Sequence, residues 1–496
     1  MKRVLWYAAV LAVVGVVAPA SASERPNVLM ICVDDLNDWV GCLGGHPQAK
    51  TPNIDALASR GVLFTNAHCN APICTASRAS VMTSLRPART GIYGLGPAWV
   101  GYQGDAKQGV VPLPRMFADA GYHTVSAGKV WPGGSYGVTR VGPGGGPGKA
   151  PNEKLVPPTP AGNNPWVDWG LYDRPESEVQ DHKVADFICA EMSDAPADQP
   201  LYVECGFFLP HVPCHATPKF WDMFPVEDLV VPQIDRGDRG DCSPFAWYLH
   251  WNLPEPRITW LEHHDQHTNL VRAYLACTAM MDAEVGRVIK TLEETGRADN
   301  TVICLWSDHG WHLGEKNITG KNSLWEPSTR VPLIVAAPGV TPGVCGQPAE
   351  LLDVYPTLTD LAGLKTPGHV EGLSLRPQLE DTAAPHRPVI TQSNPGNFGV
   401  RDERYRLIRY ADGSEELYDV LDDPDEATNR IEDTSLASAA ATLREAIPKN
   451  VAGLAAGSHS RILEKKDGRW IWEGKPIDPD NPPMSIEPHT PADLPR

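Results

Sequence analysis

Five short apolar runs, each followed closely by a polar or charged residue, set the strongest limit on how this chain folds. They are "PNVLMICV" (26–33), "YHTVSA" (122–127), "LYVECGFF" (201–208), "TVICLW" (301–306) and "VPLIVAA" (331–337). A strand that is apolar on both faces has to be covered on both, which is the situation of a central strand in a parallel or mixed sheet. Helical patterns lie between the runs: "TPNIDALASRG" with Gly61 as its stop, "VPLPRMFADAGY", and "LVRAYLACTAMMDAEVGRVIKTLEETG", again closed by glycine. This alternation predicts an α/β fold with a large mixed, mostly parallel sheet sandwiched by helices. Near residue 380 the pattern changes to short strands, "PVITQS", "RYRLIRY" and "ELYDV". These predict a smaller C-terminal antiparallel-sheet subdomain.

A chain of 496 residues exceeds what one core serves, so two units are expected. The boundaries read as 24–378 for a catalytic unit and 379–496 for a C-terminal subdomain with a Pro-rich tail. Before them, Lys2 and Arg3, an apolar run and the small-x-small triplet Ala20-Ser21-Ala22 predict a signal peptide over 1–22. The mature chain is therefore expected to be exported, periplasmic or secreted, with no membrane association after cleavage. The Gly/Pro-rich stretch 131–175 reads as a long surface excursion, and the irregular span 210–265 carries Trp247, Tyr248, Trp251 and Trp260.

The formal net charge of -18 argues against a nucleic-acid partner, because tracking a polyanion calls for a basic stripe. An anionic substrate would have to be met by a local cluster of cations. The eleven cysteines lack the paired spacing of a zinc site, and Cys32, Cys205 and Cys304 lie inside strand runs as buried thiols.

Chemistry collects where the strands end. Asp34-Asp35, Lys129, Pro210-His211 and Asp308-His309 each follow a strand run, and ligands of open α/β sheets sit beyond the carboxyl ends of the strands. Adjacent aspartates at the end of a buried strand call for a cation between them. Several carboxylates without paired Cys or His favour a hard ion, calcium before magnesium or manganese. Cys74 opens "CTASRASVMTSL", a good helix start, so its side chain lies at the positive end of a helix with Arg78 one turn on.

Asp34-Asp35, C-T-A-S-R at 74–78, Gly128-Lys129, Pro210-His211, "SDHGWHLGEK" and the closing "ELYDVLDDPDEATN" together resemble the type I sulfatases of the alkaline phosphatase superfamily. The similarity is greatest to the iduronate-2-sulfatase-like branch and spans nearly all of the mature chain. It implies that a maturing enzyme converts Cys74 to formylglycine, whose hydrate attacks sulfur and then releases sulfate as the aldehyde reforms. It further implies one calcium ion held by Asp34, Asp35, Asp308, His309 and the modified Cys74. Arg78 would stabilise the diol, Lys129 and Lys321 would bind sulfate oxygens, and His211 would assist the leaving group or bind sulfate. The implied substrate is a sulfated oligo- or polysaccharide.

The chain departs from the family pattern in three places. Ala76 stands where proline is commoner, a choice that the radical type of maturing enzyme accepts. The histidine that usually follows the motif lysine is missing from "GKVWPGG", which leaves its role to His211 or His312. Leu209 occupies the place before Pro210-His211 where iduronate sulfatase has lysine. Two other readings are a phosphonate or phosphate monoester hydrolase of the same superfamily and a non-catalytic, polysaccharide-binding pseudo-sulfatase.

Overall fold

All five apolar runs become strands of one eight-stranded sheet, completed by three others. The computed structural model describes residues 25–96, 109–131, 136–159, 163–243, 245–246, 256–459, 463–472 and 474–476. The predicted signal segment, the chain from 477 onward, Trp247, Tyr248 and Trp251 lie outside the described residues. In chain order the sheet strands are β1 (Asn27–Asp34), β2 (Val62–Phe64), β3 (His123–Gly128), β4 (Arg140–Gly144), β5 (Leu201–Pro210), β6 (Thr301–Ser307), β7 (Leu333–Ala336) and β8 (Gly343–Cys345). Across the sheet they run β8-β2-β7-β6-β1-β5-β3-β4. The central neighbours pair in parallel, and β7 runs against both β6 and β2.

Alternate residues of β1 point to opposite faces and build two separate cores. Leu29, Ile31 and Val33 pack with α1 (Pro52–Arg60), α4 (Gln180–Asp194) and α5 (His267–Glu294). Val28, Met30 and Cys32 pack with α2 (Cys74–Thr83), α3 (Leu113–Asp119) and α6 (Val354–Leu361). Each of these β1 side chains is essentially fully buried, which stabilises the fold by about 1.5–3 kcal/mol apiece for the large ones. Gly61 does stop α1, though for a reason other than a left-handed turn. A Cβ there would lie 2.7 Å from the Val335 carbonyl oxygen, so glycine lets the chain pass against β7.

The described residues of the Gly/Pro stretch 131–175 include sheet strands. It supplies β4, which extends the sheet beside β3, and a short strand, Trp169–Leu171, that pairs with Cys214–Ala216. Exposed Val141 on β4 explains why no apolar run announced this edge strand. All eleven cysteines are free, with Cys32, Cys205 and Cys304 buried. No described helix is long and apolar enough to cross a membrane.

The separate C-terminal sheet is an antiparallel meander of β9 (Val389–Gln392), β10 (Phe398–Arg401), β11 (Tyr405–Arg409) and β12 (Glu415–Asp419). One face, with Val400, Leu407 and Leu417, is covered by α7 (Ala437–Ala446), and the other packs Ile408 and Tyr418 on Ile318, Leu324 and Trp325 of the larger body. Buried Glu350 ties the two together. It accepts from Asn70 (2.8 Å), Arg86 (2.6 Å) and Arg387 (2.6 Å). Burial alone would raise its carboxyl, but Arg86 and Arg387 win and hold it down at about 2. A depressed carboxyl stabilises the fold above its unfolded value, 4.5, and loses that contribution as pH falls towards 2. Glu350→Gln is therefore expected to cost about 3 kcal/mol at pH 6. Thermal melts across pH should show the gap to wild type narrowing below pH ~4; a gap that is constant with pH would count against the ion pair.

Candidate active site

The carboxyl ends of β1, β3, β5 and β6 bring four of the sequence motifs to one rim. The register of β1 on β5 slips between Val33 and Asp34, so the strands part where Asp34 and Asp35 leave the sheet. Asp35 then takes a left-handed backbone (φ 61°), held by Tyr274, whose hydroxyl donates to its carbonyl (2.6 Å), and by its own N–H on Asp308 Oδ1 (3.2 Å). Gly128 allows the approach that delivers Lys129, because a Cβ there would meet the Gly206 carbonyl at 1.8 Å. Lys321 arrives on a two-stranded ribbon, His312–Leu313 against Thr319–Gly320, that folds the chain back after His309.

Cys74 is the first residue of α2, is buried, and precedes Arg78 by one turn. The start of α2 is pinned by Ser77, whose hydroxyl donates to the Asp308 carbonyl (2.6 Å). Ligand atoms of Asp34, Cys74, Asp308 and His309 all lie within 4.8 Å of one another, and Asp34, Asp35 and His211 form an overlapping group. Arg78 donates from Nε to Asp308 Oδ2 (2.8 Å) and faces Asp34 Oδ1 at 3.6 Å. The Lys129 ammonium pairs with Asp34 Oδ2, and that of Lys321 with Asp35 Oδ1 (2.7 Å). All nine predicted site residues thus meet in one place. His312 does not join them: it is buried between Ser323 Oγ (2.7 Å) and the Glu315 carbonyl (3.1 Å) and packs on Trp325. The expectation that it could stand in for the missing histidine is corrected by that geometry, and of those two candidates His211, 3.7 Å from Asp35 Oδ2, is the one that lies at the site.

The electrostatics suit a hard cation. Burial raises Asp34, yet Lys129, then His211 and Arg78, hold it well below the usual carboxylate range. Burial pushes Asp35 well up, with Asp34 and Asp308 adding to it against Lys321. Asp308 is pushed up to about 6 by burial in spite of Arg78. His309 is held far down by burial and by Lys321, so it stands as a neutral imidazole. Asp34 Oδ1, Asp35 Oδ2 and His309 Nε2 are buried without a hydrogen-bond partner. Buried acceptors left open in this way are what a divalent ion with oxygen and imidazole ligands would satisfy. Arg78, Lys129 and Lys321 each pair with one of these carboxylates, Asp308, Asp34 and Asp35 in turn.

Sequence reasoning did not find the supports of this site. Buried Asp181, in the first turn of α4, accepts from the N–H groups of Phe208 (2.8 Å) and Leu209 (2.9 Å) and so fixes the segment that ends in His211. Phe208 lies 5.2 Å beneath the Lys129 ammonium, and Trp311 lies 5.5 Å from that of Lys321. Asp181→Ala leaves two buried N–H groups without an acceptor and is expected to cost about 3 kcal/mol, read from urea denaturation. A loss below ~0.5 kcal/mol would contradict that assignment. A cavity of about 1030 Å³ lies elsewhere, between the body and the C-terminal sheet, lined by Asp38, His46, Arg330 and Glu403 among others. It does not include the cluster around Cys74.

The family model "Sulfatase" matches residues 26–364, and the model "N-sulphoglucosamine sulphohydrolase, C-terminal" matches 314–452. A sulfatase of Formosa agariphila is 34% identical over 454 residues, covering 86% of this chain and 87% of its own. The Delta 4,5-hexuronate-2-O-sulfatase of Bacteroides thetaiotaomicron is 29% identical, with 84% and 86% covered. Human iduronate 2-sulfatase is 28% identical, with 74% and 75% covered. Among solved structures, a 2-O GAG sulfatase superposes with a TM-score of 0.67 at 24% identity, covering 85% of this chain and 91% of that one. A phosphonate monoester hydrolase from Silicibacter pomeroyi superposes with a TM-score of 0.69 at 22% identity, covering 85% and 94%. The chain belongs to the sulfatase family and is a sulfuric ester hydrolase of alkaline phosphatase-like fold.

Proposed function

We propose that the protein hydrolyses sulfate esters carried on a carbohydrate, with residue 74 as nucleophile after a maturing enzyme has converted Cys74 to formylglycine. The observation that carries this reading is the meeting of Cys74 with Asp34, Asp308 and His309, where buried carboxylate and imidazole atoms are left open and Arg78, Lys129 and Lys321 pair with the surrounding carboxylates. A calcium ion fits these acceptors, would be held by Asp34, Asp35, Asp308, His309 and residue 74, and would supply Lewis-acid polarisation of the sulfate and of the nucleophile. The hexuronate and iduronate sulfatases among the relatives support a sugar sulfate as substrate. We also assign 24–378 to the catalytic unit, 379–496 to the C-terminal subdomain, and an exported location to the mature chain.

In this reading Arg78, Lys129 and Lys321 bind the sulfate oxygens where charge builds as the bond to the sugar oxygen breaks. One hydroxyl of the hydrated residue 74 forms the new bond to sulfur, and a proton returns to the departing sugar alkoxide. Release needs the second hydroxyl to lose its proton as its C=O reforms and the bond to sulfate breaks. We assign that task to His211. Its Nδ1 faces the Val212 carbonyl and so carries the ring hydrogen, which leaves Nε2 as an acceptor on the side of Asp35. Burial, then Lys321 and Lys129, keep this imidazole neutral.

Release of sulfate and of phosphonate from matched esters discriminates the rival chemistry. Sulfate release is expected to exceed phosphonate hydrolysis in kcat/KM by at least ~100-fold, a difference of about 2.7 kcal/mol in transition-state binding. The reverse order would make the protein a phosphonate hydrolase, and no turnover with residue 74 converted would make it a binding protein.

A further inference from the structure

The charged cluster is not equally closed on all sides. The side chains of Asp34, Asp35, Asp308 and His309 are fully buried and those of Arg78 and Lys321 nearly so, whereas Lys129 is 23% exposed and His211 15%. The cluster therefore meets solvent on the side of these two residues. Both of them face one ring, that of Phe208: the Lys129 ammonium lies 5.2 Å from its centroid and the His211 ring 4.8 Å. Phe208 itself is buried, and against it stands Trp166, with centroids 6.4 Å apart and planes at 59°. Trp166 is 51% exposed.

The backbone brings Trp166 to this edge independently of the ring contacts. The short strand Trp169–Leu171 pairs in parallel with Cys214–Ala216, Trp169 opposite Cys214, and the Cys214 N–H donates to the Asp168 carbonyl (2.9 Å). Parallel strands enter a ribbon from the same end, so the residues just before Trp169 and those just before Cys214 emerge side by side. The first segment carries Trp166 and the second carries His211. Trp166 is mounted on a turn in which Asn164 Oδ1 accepts from the Trp166 N–H (3.0 Å) and the Asn164 carbonyl from the Val167 N–H (3.1 Å). Val167, the next residue, is buried in the same core as Phe208 and anchors the turn.

A lone exposed apolar side chain is ordinary on a protein surface. Trp166 differs in its place, at the open edge of a site whose other groups are charged. Those charged groups suit the sulfate, and the alcohol half of the ester has to extend through the open side, past Trp166. An indole face matches the C–H face of a pyranose ring and is held at little conformational cost.

We infer that Trp166 is a specificity-determining residue, the surface against which the sugar ring of the substrate packs. The inference rests on the carbohydrate-sulfatase reading and adds the side chain that favours a ring over an acyclic alcohol.

The test compares ring-bearing and ring-free substrates on the mature enzyme. Glucosamine 6-sulfate and a 2-O-sulfated unsaturated hexuronate disaccharide are the ring probes, and propyl sulfate is the ring-free probe. Trp166→Ala is expected to lose roughly tenfold more kcat/KM on the better sugar sulfate than on propyl sulfate, mainly through KM and with Tm unchanged. Trp166→Phe keeps a flat ring and should retain most of the sugar activity. Leu171→Ala, at the far end of the same ribbon and also exposed, should leave the ratio of the two activities at the wild-type value. Equal losses on both substrate classes in Trp166→Ala, no loss on the sugar, or the same bias in Leu171→Ala would overturn the assignment and leave the carbohydrate-sulfatase reading standing. A wild type that cleaves propyl sulfate and neither sugar would overturn both. A wild type that cleaves none of the three would remove the sulfatase reading itself, and the assignment with it.

Discussion

Cys74→Ala is expected to lower sulfate-ester turnover on the order of 10⁴-fold or more while the chain still folds. The side chain is small and is the first residue of α2, where no helical hydrogen bond depends on it. Its packing can be replaced by a methyl group, but its chemistry cannot. Arg78, Lys129 and Lys321 would still bind the sulfate, so affinity for a non-reacting sulfate should survive. Cys74→Ser sharpens the point. A serine hydroxyl can accept the sulfuryl group at the same place, yet it has no second hydroxyl whose deprotonation expels sulfate. A single turnover followed by a trapped adduct, heavier by one SO₃ in the intact mass, is the expected result. Sustained turnover by the serine variant would show that the release step does not need a geminal diol.

Removal of calcium should have the next largest effect. Asp34, Asp35 and Asp308 are all fully buried, and two of the three are pushed up by burial despite nearby cations. Lys129 pairs with Asp34 and Lys321 with Asp35, so the charge of the ion and the charge of the lysines act on the same carboxylates. Dialysis against EGTA is expected to abolish activity by at least ~100-fold, with recovery on adding calcium. The ion should also stabilise the fold by about 2.7 kcal/mol at a hundredfold excess over Kd, seen as a rise in Tm. Asp308→Asn should remove both responses together. Full activity in the chelated protein would show that the carboxylates serve the lysines and hold no ion.

The large sheet was legible because a strand covered on both faces leaves a continuous apolar run, as in β1, β5 and β6. Strands at or near the sheet edges leave no such trace. β4 reads "RVGPG" and β8 is three residues long, so their pairing comes from neighbours and not from their own composition. β10 was passed over in the same way, between two strands whose patterns were visible. At the site, carboxylates and cations directly after strand runs carried their own signal. Asp181 did not, since it lies in an ordinary helix turn.

The most direct test is peptide mass spectrometry across Cys74, on protein made in a host with a competent maturing enzyme and shown to hydrolyse a sulfate ester. The expected peptide is lighter by roughly 18 Da, the change from a thiol to an aldehyde at residue 74. An intact thiol in all molecules of a fully active preparation would contradict the assignment of Cys74 as the formylglycine nucleophile.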